Sequence, residues 1–165
     1  MIIKGLNAHK SLRIIFFILL AIIVDQCTKI FVSKLMLSNN FEDISIFSFF
    51  NIVFVRNTGV SFGLFSEGGN LGRYFFSIFS LTVGFFLILL ALFTERFIFT
   101  FGLCLISAGA IGNAIDRIYF GGVIDFIDIY IYNFHWPAFN FADIFIFIGV
   151  CLLLFENLFY YKYIN

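Results

Sequence analysis

The chain has 165 residues, 62% hydrophobic and 12% charged, with a mean hydropathy of +1.05 and no formal net charge. That balance excludes a soluble globular domain and marks one integral membrane domain, residues 1–165, anchored by apolar surface. Without a net basic field there is no electrostatic basis for binding nucleic acid, or for holding an anionic surface by overall charge.

A hydrocarbon core about 30 Å thick needs about 20 apolar residues per helix. Four stretches meet that length, at about 12–32, 71–93, 97–118 and 139–161. Lys4, Lys10 and Arg13 precede the apolar run from Ile14 to Val24, as they would in a secretory leader. Val24-Asp25-Gln26-Cys27 lacks the small-residue cleavage pattern, so a retained anchor is expected. Asp25, Thr28 and Lys29 fall at i, i+3 and i+4, acid before base. They predict a pair that ties the helix to its neighbours, with substrate positioning as a second role.

The segment at about 38–62 changes period. Ile44, Ile46, Phe50, Ile52 and Phe54 recur every second residue, and Asn57-Thr58-Gly59 supplies a turn, so a small sheet is expected between the first two spans. Its apolar face would lie along the membrane surface or cover something beneath it. The N-terminal basic cluster puts both termini in the cytoplasm, although Lys29, Lys34, Arg56, Arg73 and Arg117 balance it on the other side. The sheet and the segment from Tyr119 to Ala138 then face outward.

The third span ends in Gly109-Ala-Ile-Gly112-Asn113-Ala-Ile-Asp116-Arg117. Asn113, Asp116 and Arg117 share a helix face, and the pairs Ala108/Gly112 and Ala110/Ala114 permit close approach of another helix. A polar packing seam and a functional site explain this equally well. After Gly121-Gly122, Asp125 stands in an apolar setting, and the glycines free the backbone to bring its carboxylate over the helix ends. Asp128 reads as a solvated loop acid. Trp136-Pro137 precedes the fourth span, where Asn140 and Asp143 lie three apart on one face. A first-turn acid is favoured by the helix dipole, which explains Asp143 but not the Asn beside it.

An ionisable group near hydrocarbon costs about 2.5–3.5 kcal/mol, so acids at the ends of two spans call for a reason. Two close carboxylates share a proton and so supply one base and one acid. On the residues alone Asp125 and Asp143 are the candidates, with Asp116 and Asp128 as alternatives. Glu156 has no evident partner, His9 and His135 stand isolated, and Cys27, Cys104 and Cys151 read as apolar fillers without metal or disulfide spacing. The 28 Phe read as composition bias on lipid-facing positions. GxSxG, HExxH and Walker patterns are absent, and no cofactor or metal is expected. Two rival functions remain: a proton- or ion-coupled transporter with acids through the membrane depth, and a Mg-dependent lipid-headgroup transferase on Asp116, Asp125, Asp128 and Asp143. A third reading is an assembly protein whose polar residues only hold helices together.

Five motifs in order carry a resemblance: Asp25-Gln-Cys-Thr-Lys29, Arg56-Asn57-Thr-Gly59, Gly109 to Arg117, Val123-Ile-Asp125-Phe126, and Pro137-Ala-Phe-Asn140-Phe-Ala-Asp143. Together they span nearly the whole chain, which resembles the bacterial type II (lipoprotein) signal peptidases. The resemblance implies an all-α membrane protein of four transmembrane helices with an extracytoplasmic β-cradle between the first two. It further implies an aspartic endopeptidase of the bacterial inner membrane; separately, a monomer is expected. Such an enzyme cuts diacylglyceryl-modified prolipoproteins just before the lipidated cysteine, at a site facing outward. By motif the catalytic pair falls on Asp125 and Asp143. Support or substrate contact falls on Asp25, Lys29, Asn57, Asn113, Arg117 and Asn140, with Gly59 and Asp116 in the same motifs. One departure stands out: Ser107-Ala108-Gly109 occupies the place where the family often has Gly-Gly.

Overall fold

A computed structural model describes residues 7–59 and 69–164. It contains α1 (Ala8–Ser38), β1 (Ile44–Phe47), β2 (Phe50–Asn57), α2 (Gly69–Phe93), α3 (Phe97–Phe120), β3 (Val123–Ile131), β4 (Phe134–His135) and α4 (Phe141–Ile164). Residues 60–62 of the expected sheet segment lie outside the described residues. All four helices are long and apolar enough to cross a membrane.

The centre of the bundle is α3. Of its most apolar window 61% is buried, against 28%, 17% and 11% for α1, α2 and α4, so α3 is the helix the others wrap. Small side chains make that possible. A Cβ on Gly109 would stand 2.3 Å from the Ala142 carbonyl oxygen, and one on Gly149 would stand 2.7 Å from that of Gly102. The backbones of α3 and α4 therefore touch where lipid-soluble helices gain most from close van der Waals approach. Ser107, the departure from the family pattern, donates its hydroxyl to Gly84 O at 2.9 Å and so ties α3 to α2.

On α1 the buried residues Ile14, Ile18, Ala21, Asp25, Lys29, Val32 and Met36 recur every three or four positions, one stripe facing the bundle. Asn7 caps this helix, its side chain accepting from His9 N and Lys10 N. The helix runs six residues beyond the expected end at 32, because Val32 and Met36 have a partner: they pack with Phe126, Ile52 and Phe54 beneath the sheet. The apolar sheet face thus covers the end of α1.

The sheet differs from its expected form. Its four antiparallel strands run in the order β1-β2-β3-β4, and half of them come from the connection between α3 and α4. Gly121 ends α3 in the left-handed region at φ +75°, a conformation that favours glycine, and turns the chain into β3. There Val55 faces Asp125 and Asn57 faces Val123 across the β2–β3 ladder. α4 starts at Phe141, two residues later than read from the sequence, because Phe139 is bonded into the sheet opposite Ile127. Cys104 is buried in the core, whereas Cys27 and Cys151 are exposed on the apolar surface and fill no gap.

Candidate active site

Lys29 is 1% exposed, so its ammonium must find partners inside the protein. It donates to Asp25 Oδ2 at 2.8 Å and Asn113 Oδ1 at 3.1 Å, and pairs with Asp116 Oδ2 at 2.8 Å. The two carboxylates also reach other elements. Asp25 Oδ1 accepts from Ala142 N, one of the unpaired donors in the first turn of α4. Asp116 Oδ2 also accepts from Ile124 N in β3. Gln26 Nε2 closes the cluster, reaching Asp25 Oδ2, Asp116 Oδ1 and Gly112 O. One lysine and two acids thus lock α1, α3, α4 and the sheet together. A Cβ on Gly112 would lie 2.7 Å from Asp25 Oδ2, so only glycine there admits the carboxylate.

Lysine offers only donors, so the Asn113 atom facing it must be oxygen, which leaves the Asn113 nitrogen free to donate elsewhere. It donates to Asp143 Oδ1 at 2.9 Å. Asp143 Oδ2 accepts from Asn140 N at 3.2 Å, while Asp143 N donates to Asn140 Oδ1 at 3.0 Å. This reciprocal pair is a capping box at the start of α4. The helix-start role for Asp143 is therefore present, and its other oxygen is turned toward the centre of the bundle.

Asn140, fully buried, donates Nδ2 to Asp125 Oδ1 at 2.6 Å and to Asn113 Oδ1 at 3.3 Å. Asn57 Nδ2 donates to Asp125 Oδ2 at 3.1 Å, and Asn57 Oδ1 accepts from Gly59 N at 3.1 Å, which shapes the expected turn. Arg117 donates Nη1 to Asn113 O and Nη2 to Gly59 O, both at 3.2 Å. All ten residues singled out in the sequence, Asp25, Lys29, Asn57, Gly59, Asn113, Asp116, Arg117, Asp125, Asn140 and Asp143, join one connected set of polar contacts. Only some of them reach open space. Asn57, Asn113, Arg117, Asp125 and Asp143 line a cavity of about 850 Å³. Its walls are Phe79 and Val83 of α2, Ile106 and Ala110 of α3, Ile144 and Phe147 of α4, and the segment Trp136–Phe139.

Asp125 is 3% exposed, and burial is the main reason its carboxyl is pushed up to about 7. The like charge of Asp143 adds to this, against the amides of Asn57 and Asn140 and the charge of Lys29. The cavity therefore holds a carboxyl that keeps its proton near neutrality beside a second acid. Arg117 Nε, buried at the same cavity, has no hydrogen-bond partner among the described residues.

Three sequence expectations change. Asp128 is 6% exposed and not solvated, accepting from Asn51 Nδ2 at 3.1 Å, with both its oxygens 2.9 Å from His135 Nδ1. His135 is accordingly not isolated, and its ring stacks on Tyr130. Glu156 pairs with Arg96 Nε at 2.9 Å at the far end of the bundle. The four acids of the transferase reading do not converge, since Asp116 faces Lys29 and Asp128 faces His135. Gln26 was given no role in the sequence; an amide in an apolar span next to a buried acid was the available signal.

Residues 17–159 match the family model described as signal peptidase (SPase) II. A Cupriavidus pinatubonensis protein named lipoprotein signal peptidase is 41% identical over 143 residues, covering 86% of this chain and 80% of its own. One of the same name from Thermodesulfovibrio yellowstonii is 42% identical over 154 residues, covering 93% and 98%. A solved structure described as a bacterial membrane enzyme, obtained by the in meso method at 1.9 Å, is similar at a TM-score of 0.74 and 28% identity. That match covers 96% of this chain and 98% of the other.

Proposed function

The chain belongs to the signal peptidase II family and is a multi-pass membrane peptidase, and from that premise we propose that Asp125 and Asp143 form its catalytic pair. The substrate is a prolipoprotein whose cysteine carries diacylglyceryl, cut on the peptide bond before that cysteine. The observation that carries this reading is the shared cavity, where Asp125 and Asp143 meet walls that are mostly apolar.

The chemistry divides between the two acids. Ionised Asp143, fixed by Asn113 Nδ2 and the capping box, takes a proton from water, whose oxygen bonds to the scissile carbonyl carbon. Asp125, protonated near neutrality, gives its proton to the amide nitrogen as the C–N bond breaks. The proton on Asp143 then restores the starting pair. Arg117, which lines the cavity, supplies positive charge beside the carbonyl oxygen as negative charge builds there. Asp25, Lys29 and Asp116 are positioning residues that act through Asn113 and the start of α4. The sheet end faces outward with both termini cytoplasmic, and a monomer is sufficient because all ten residues come from one chain.

The test is cleavage of a diacylated prolipoprotein by the purified protein in detergent with a chelator present. Asp125→Asn and Asp143→Asn should each fold and each lower turnover by about 10²–10⁴-fold, the range for a lost general acid or base. Substantial activity in Asp125→Asn, or loss of wild-type activity on chelation, would overturn the metal-free pair.

A further inference from the structure

A second charged site lies at the sheet end of the bundle, outside the peptidase residues. Arg73, near the start of α2, donates Nε to Arg117 O at 2.6 Å and Nη2 to Ile118 O, capping carbonyls at the C-terminus of α3. Arg56 of β2 lies across the glycine pair that follows α3. Its Cγ is 3.0 Å from where a Cβ on Gly122 would stand, and its Nη2 is 2.8 Å from the same point on Gly121. Arg73 Nη1 is 3.5 Å from that Gly121 point. Two guanidinium groups converge on one glycine, whose missing side chain gives Arg56 Nη2 the room it takes.

Among the described residues no carboxylate forms an ion pair with Arg56 or Arg73, and the Arg56 side chain donates no hydrogen bond. Two cations so placed repel each other unless an anion lies between them, and a guanidinium fork matches phosphate oxygens. The depth selects which phosphate. The start of α2 and the end of α3 are where the chain leaves the hydrocarbon, and the rings of Tyr74 and Tyr119, 55% and 76% exposed, sit there as interfacial aromatics do. Arg73 also lies over the Tyr74 ring, 5.5 Å from its centroid.

We propose that Arg56 and Arg73, converging beside Gly121, bind the phosphodiester of an anionic phospholipid headgroup. A zwitterionic headgroup would bring an ammonium that no carboxylate among the described residues at the site receives. Because Arg56 precedes Asn57, the bound lipid would hold the headgroup plane level with β2 beside the cavity. The binding itself does not depend on the peptidase chemistry.

Native mass spectrometry of the whole protein, released from nanodiscs with equal phosphatidylglycerol and phosphatidylcholine, tests this. Wild type should retain phosphatidylglycerol preferentially, and Arg56→Gln should lower that preference about fivefold, the worth of one arginine at a lipid surface. Arg56→Gln/Arg73→Gln should abolish it. The Arg56 side chain makes no hydrogen bond among the described residues, so an unchanged melting temperature for Arg56→Gln certifies the comparison. Equal retention of the two lipids by wild type, or an unchanged preference in Arg56→Gln, overturns the proposal. Displacement of the lipid by millimolar inorganic phosphate overturns its assignment to a lipid.

Discussion

Two pairs of carboxylates, three of the four acids buried, stand on either side of Asn113, and they differ in one respect. Asp25 and Asp116 share an ammonium, that of Lys29, at 2.8 Å from each. Asp125 and Asp143 receive amide donors from Asn57, Asn113 and Asn140, but among the described residues neither forms an ion pair. A cation settles the first pair as a structural tie. The second pair has only Arg117, which lines the same cavity without an ion pair to either acid, and in the proposed mechanism it shares a proton, the condition for one base and one acid at neutral pH. Position in the membrane does not separate the pairs; the presence of Lys29 does.

Removing that cation should have the largest effect on folding. Lys29→Met leaves two facing carboxylates uncompensated, at a cost of about 3–5 kcal/mol in detergent unfolding. Asp25→Asn/Lys29→Met/Asp116→Asn should recover most of the loss, because no buried charge remains. A destabilisation under about 1 kcal/mol in Lys29→Met would mean that the two pairs are not different in kind.

The amides that substitute for a cation come next. Asn140→Ala removes the donor to Asp125 and the cap of α4, so a loss of about 1–2 kcal/mol in thermal unfolding is expected. Turnover should fall as well, with the substrate KM little changed, because the site is misaligned while the cavity walls stay. A variant that lost substrate affinity alone would place Asn140 among the binding residues.

Asp128 supplies the smallest effect and the cleanest contrast. It has His135 and Asn51 as partners and stands apart from the cavity. Asp128→Asn should retain turnover and lower stability by about 1 kcal/mol, the loss of one charge-assisted contact at the sheet. Abolished turnover would move Asp128 into the reacting set.

What was legible in the sequence followed from helical spacing. Asp25 with Lys29, Asn113 with Asp116 and Arg117, and Asn140 with Asp143 all lie three or four apart, so their faces were given before any fold was known. Contacts between elements were not. The β3 strand looked like an acid-bearing loop because Gly121-Gly122 and two aspartates mask its strand character. Its pairing with β2, 77 residues away at Asn51 and Asp128, is set only when α3 and α4 pack. The same holds for Glu156, whose partner Arg96 lies 60 residues earlier. The choice of Asp125 and Asp143 over Asp116 and Asp128 rested on motif resemblance. The partners now supply a physical reason for it, since Asp116 has a lysine and Asp128 a histidine.

The proton on Asp125 tests the account most directly. Its folded value of about 7 lies above the unfolded value near 3.8, so the folded state binds the extra proton between those values. Stability from this group therefore falls as pH rises from about 4 to 7. Site-resolved carboxyl titration by carbon NMR, with labelled aspartate assigned through Asp125→Asn, reads the midpoint. The prediction is a midpoint near 7 in wild type that moves down in Asp143→Asn, where the neighbouring like charge is gone. A midpoint near 4 that is unmoved by Asp143→Asn would contradict the shared proton, and with it the distinction between the two pairs.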